Sequence, residues 1–274
     1  MILSVWNTTC RLLQNYYLYK FYRIYQFFDV IIKYLIISSL RTMKRIYYIA
    51  EASWADKLVK NRAHPQWVHI LNKEYRETMN KHNSWLSKSV ERNFPQIQFY
   101  LYESFFCQFK GKMDYKGEQD YMDVWPTYRG VFGVINNKFK NILDDLHVSS
   151  KEYVAYPISI ENTASSYYFM FVYHIPMEEM IFNQSIFCDK FDHGKEYLIE
   201  SKDQFYNILQ NEEDRSRPIP KRIVLDKRFT ERHIIQIQSC PYVFFSEELV
   251  NQLKTNDIVG LEYNLPTFTE LLFV

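Results

Sequence analysis

Metal binding and acid–base chemistry need His, Cys, Asp and Glu in convergent sets, and this sequence offers few. The densest is Cys188-Asp189 followed by Asp192-His193. These residue types bind zinc, but the spacing matches no zinc-ligand set, and the run reads as a solvated turn before Gly194. Three acidic groups follow: Asp144-Asp145, Glu178-Glu179 and Glu212-Glu213-Asp214. Adjacent residues on a helix point in different directions, so each group reads as a solvated face and not as a paired acid and base. The seven His are dispersed, and His147 falls at the end of an expected helix, where a cation suits the dipole. Walker-type, dinucleotide-binding, zinc-protease and nucleophile-elbow motifs do not occur. With 6 Gly in 274 residues, a phosphate-cradling loop has little to be built from. The reading is of a non-enzyme, with no catalytic, cofactor-binding or metal residue and no cofactor.

Charge narrows the partners. Residues 215–232 hold seven bases against two acids, the strongest local charge feature outside the N-terminal segment. Single-stranded nucleic acid would call for interleaved aromatic rings to stack on the bases, and only Phe229 is present. A basic loop and strand facing an acidic patch on a protein partner fits better. Residues 1–42 carry +4 and the remainder −3, so the body has no strong field for DNA, RNA or membrane. The four Cys are scattered without C-x-x-C spacing, which points to a reducing compartment and a cytoplasmic protein.

The elements that would position these residues are aromatic. Tyr and Phe supply 44 residues, enough to bury a large core with few aliphatics, although an AT-rich gene gives the same bias. Residues 16–40 read as a helix with a narrow polar stripe at Lys20, Arg23, Gln26, Asp29 and Lys33. It has too many charges for a stable membrane span, though it suits a membrane interface. Three readings of residues 1–42 stand: sequence upstream of a true start at Met43, a peripheral helix, or an anchor; the first is preferred. Residues 43–274 read as one α+β domain without a clear linker.

Within it, periodicity predicts helices over 63–85, 136–146 and 201–210, and strands over 45–50, 97–106, 153–160, 167–174, 223–225 and 234–237. Residues 111–119 read as turn, 161–166 as a loop, and 211–220 as a mobile loop. The last unit is the most explicit. A strand over 243–245 leads to Ser246, a helix N-cap, then Glu247 and Glu248 where the dipole favours acids. Leu249, Val250 and Leu253 supply the buried face, Asn256-Asp257 end the helix, and Gly260 precedes a strand over 261–263. A weaker copy lies 110 residues earlier, with Val134-Ile135, the cap Asn136, then Phe139, Leu143 and Val148, and a strand in which Val154–Tyr156 matches Leu261–Tyr263. Either any strand–helix–strand unit shares such spacing, or two related units face one sheet system.

The run Phe244-Phe245-Ser246-Glu247-Glu248-Leu249, with Leu253, Ile258 and Gly260-Leu261-Glu262-Tyr263, resembles the closing signature of the Myxococcus-type immunity protein family of bacterial polymorphic and contact-dependent toxin systems. Residues 125–265 follow the family in order, through the helix at 139–146, the strands at 153–157 and 167–173, and Met180 to Phe187. The family's Asp ahead of Ser185 is here replaced by Asn183. The resemblance implies an α+β fold of mixed sheets and packed helices, with strand–helix–strand units near 134–157 and 243–263. It implies a protein that binds and neutralises a cognate toxin by occlusion, and carries over no site residue. An enzyme reversing a toxin's modification and a membrane-associated interaction protein are the alternatives.

Overall fold

Six of the strands close on themselves, and the others form two open sheets. A computed structural model describes residues 46–52, 67–73, 77, 109–113, 118–125, 131–189, 192, 194–210, 218–238, 240, 242–265 and 269–274. The expected helix at 16–40, the strand at 97–106 and the Met43 start lie outside these residues. Ile46–Val274 form one compact unit. Its first strand is β1 (Tyr47–Ala52), followed by β2 (Trp67–Ile70), β3 (Phe109–Met113), β4 (Tyr121–Trp125) and β5 (Val131–Asn136). Helix α1 (Asn137–Asp145) leads to β6 (Tyr153–Ile160) and β7 (Tyr167–Val172). These close a six-stranded barrel in the order β2-β3-β6-β7-β5-β4, with parallel pairings at β3–β6 and β2–β4.

After one residue the chain enters β8 (His174–Ile175), then β9 (Ile186–Asp189), β10 (Glu196–Tyr197) and helix α2 (Lys202–Gln210). There follow β11 (Pro218–Leu225), β12 (Ile234–Ile237), β13 (Val243–Ser246), helix α3 (Glu247–Thr255), β14 (Leu261–Asn264) and β15 (Glu270–Phe273). A five-stranded sheet runs β14-β1-β13-β12-β8, and a four-stranded sheet runs β10-β9-β11-β15. The architecture is α+β with mixed sheets, dominated by the barrel.

Three cores separate these layers. The barrel is filled by its own rings, with Phe109 and Phe169 centroids 4.8 Å apart and Phe169 and Phe171 4.6 Å apart. Tyr156 completes the group, 5.8 Å from Phe171. A second core lies between the outer barrel wall (Tyr121, Phe132, Met170, Val172) and one face of the five-stranded sheet (Ala50, Val243, Phe245). Helices α1 and α3 bury Phe139, Ile142, Leu143, Leu249, Val250 and Leu253 into it. A third core joins the sheet's other face (Tyr47, Ile49, Ile235, Ile237, Phe244) to the four-stranded sheet and α2. Strands β7 and β13 are therefore buried on both faces, and their sequences are continuous apolar runs instead of alternating ones.

Several expectations are corrected. Trp67–Ile70, expected as helix, is strand β2; its four residues sit in a pattern that fits a helical face equally, and pairing with β3 and β4 decides the outcome. Gly111 lies in strand β3 and not in a turn, because an added Cβ would meet the Val68 side chain at 2.6 Å, and only Gly lets β2 and β3 approach here. Pro218–Leu225 is one strand, so the end of the expected mobile loop is sheet, while 211–217 lie outside the described residues. The match of Val154 to Leu261 is off by one position: pairing sets Tyr153 opposite Val172 and Leu261 opposite Ala52. Side chains alternate along a strand, so Tyr153 and Leu261 enter the second core while Val154 faces the barrel interior.

Candidate functional site

Two polar junctions tie the barrel to the five-stranded sheet, and each is built around a helix cap. At the first, the Asn136 side chain accepts from Phe139 N at 3.0 Å and donates to Asp120 Oδ1 at 2.6 Å. The other oxygen of Asp120 accepts from Val259 N at 2.8 Å, and Tyr121 N donates to Val259 O at 3.0 Å. Gly260 follows at φ 109°, where an added Cβ would lie 2.2 Å from the Tyr121 carbonyl oxygen. Beside it, Gln119 is buried with Nε2 unpartnered, and burial pushes the Tyr263 phenol up.

At the second junction, Ser246 caps α3 by accepting from Leu249 N at 3.3 Å, and its Oγ lies 3.0 Å from His233 Nδ1. Glu152, 4% exposed, accepts from His233 N and Ile234 N at 2.8 Å each. Burial pushes its carboxyl up, opposed by these two backbone bonds and by the charge of Arg232. Desolvation in turn lowers Arg232, whose guanidinium lies 5.0 Å from the Phe229 ring, with Arg228 at 4.9 Å. A Ser, a His and a Glu thus converge, but not as a catalytic triad. Ser246 is fully buried, and Glu152 holds the backbone of His233 and not its ring. The set orders strand and helix ends; it presents no nucleophile to a substrate.

The polar residues singled out in the sequence are not brought together. Asp189 accepts from the Tyr197 hydroxyl at 2.7 Å and from Asp192 N at 3.1 Å, while Asp192 accepts from Gly194 N at 3.1 Å. Cys188 is buried, and His193 lies outside the described residues. The run is a turn stitched by its own carboxylates, and no group of three metal-ligating residues occurs among the described residues. Asp144 pairs with Lys140 at 2.6 Å and lies 3.4 Å from the Tyr153 hydroxyl, whose pKa rises to about 12 mainly through burial. Glu178 pairs with Lys202 and Glu179 with Arg228; Glu212-Glu213-Asp214 lie outside the described residues. His147 is exposed at φ 52°, just beyond the helix.

Three of the seven bases in the basic run pair with acids of the same chain. Lys221 pairs with Glu196 at 2.6 Å and Arg222 with Glu270 at 2.8 Å, besides Arg228 with Glu179. These three bases remain solvated, as expected, with 41–60% of each side chain exposed, and each is met by an acid distant in sequence. No family model matches the chain, and no curated protein matches it. No helix among the described residues is long and apolar enough to cross a membrane.

Sequence reading found Ser246 and Asn136 from their position before an apolar helix face. It missed Asp120, Glu152 and His233. Their partners lie 13 to 139 residues away, and nothing local distinguishes them from solvated charges.

Proposed function

We propose that this protein is an immunity protein that binds a cognate bacterial toxin in the cytoplasm and neutralises it by occlusion, without chemistry of its own. The observation that carries the reading is the pair of capped units. The residues on which the family resemblance rests form β13-α3-β14 and β5-α1-β6, and their helices enter one core. Pairing of Lys221, Arg222 and Arg228 with acids of the same chain supports a protein partner over a nucleic acid, since paired guanidinium and ammonium groups are poorly placed to neutralise phosphates. The β9–β10 hairpin has the character of an anchor: Leu198 is 79% exposed beside Tyr197, over whose ring the Lys195 ammonium lies at 5.1 Å. Apolar and aromatic groups of this kind dominate tight interfaces.

The test is co-purification with the toxin encoded beside this gene, together with survival of cells that express both. A one-to-one complex and restored growth are the expected results. Absence of binding together with absence of protection removes the reading.

A further inference from the structure

Five of the six barrel strands, all but β3, are repeated in the five-stranded sheet. The barrel order β2-β4-β5-β7-β6 corresponds to β8-β12-β13-β1-β14, with the same parallel and antiparallel senses. Registers agree residue by residue: Tyr121↔Ile135 with Ile234↔Phe245, Asn136↔Tyr167 with Ser246↔Tyr47, and Trp67↔Asp123 with His174↔Gln236. The irregular bonds repeat as well. Asn136 N donates to Asp120 O and Ser246 N to His233 O, each at 2.9 Å. The Tyr167 hydroxyl donates to Gln119 O, and that of Tyr47 to Arg232 O, in each case the residue before the junction side chain. Both helices end in a left-handed residue, His147 at φ 52° and Asp257 at φ 48°. Generic strand–helix–strand geometry does not require a tyrosine hydroxyl to find the same backbone carbonyl twice.

One strand breaks the parallel. In the first copy the middle strand β7 follows β6 across residues 161–166. In the second copy that place is filled by β1, which precedes β13 by 191 positions, counting from Ala52 to Val243. We infer that the chain is a permuted internal duplication and that β1 is a strap completing the second copy, exchangeable with β1 of a second copy of this chain. Four registered pairs with β13 and four with β14 hold the strap. Its connection to the barrel has 14 residues between Ala52 and Trp67, a reach of about 50 Å when extended. An exchanged strap remakes every ladder and every ring contact of the closed form, which is the condition for low-cost swapping.

The test compares the two middle strands. Full-length chains carrying Ala50→Cys or Val243→Cys, which are register partners, are mixed in mild urea, diluted at high protein concentration and oxidised in a glutathione buffer. The control mixes Ala155→Cys and Met170→Cys, partners across β6 and β7. The inference expects a dimer linked between positions 50 and 243 by peptide mapping, at least tenfold more abundant than the control link. Equal yields, or none from the strap pair, overturn it. Hydrogen exchange on the unaltered chain gives a second reading that needs no substitution. Amides of β1 are expected to exchange at least tenfold faster than those of β7, and equal protection overturns the inference.

Discussion

The two junctions join the same layers through a carboxylate that is placed differently in each. At the first, Asp120 bridges a cap side chain and a backbone amide from the other half of the molecule, with Lys138 3.7 Å away. At the second, Glu152 is 4% exposed and is met by two backbone amides, while the cap is satisfied by His233. Equivalent backbone thus tolerates different side-chain chemistry, provided that each orphan N–H finds an acceptor. The lesson is that these polar residues are read best as fasteners between repeated layers.

The sharpest way to break the comparison is Gly260→Ala. A positive φ combined with a Cβ 2.2 Å from the Tyr121 carbonyl oxygen should force the first junction apart, with an expected loss of about 3 kcal/mol or more in urea unfolding. Next come Glu152→Ala and Asp120→Ala. The former leaves one buried and one part-buried amide unmatched and should cost about 3 kcal/mol; the latter leaves one amide and one side-chain donor and should cost about 2 kcal/mol. A reversed order would show that burial does not separate the junctions. The caps should be nearly equal, with Asn136→Ala and Ser246→Ala each costing about 1 kcal/mol.

The smallest effect is one of slope. The Glu152 carboxyl is pushed up from 4.5 in the fold, so its share of stability is present at low pH and is lost as pH rises through the folded value. Glu152→Gln keeps an oxygen for both amides and removes the ionisation. Relative to this variant, the native chain should lose stability as pH rises above about 4.5, as followed by urea midpoints. A constant difference across that range would show that burial does not shift the Glu152 carboxyl.

The sequence made the repeated units legible where local physics sets them. Tyr153–Ile160 and Ile234–Ile237 follow from pattern alone, and Ser246 from its place ahead of Leu249, Val250 and Leu253. Barrel closure was not legible, because its parallel pairings bring Trp67 to Asp123 and Phe109 to Ile158, and no short-range signal encodes them. The same holds for β1 between β13 and β14, and for Glu152, whose acidity in sequence says nothing of His233 and Ile234. Trp67–Ile70 was misread because four residues are too few to distinguish a strand from one turn of helix.

The plugged barrel has a use in protein engineering. Phe109, Tyr156, Phe169 and Phe171 form an aromatic lining that happens to be occupied by its own members. Excising one ring with Phe169→Ala would leave a dry chamber walled by the other three. Such chambers take up xenon or benzene in place of the missing ring. The barrel is in effect a receptor whose guest is covalently attached, and one substitution would turn it into a host.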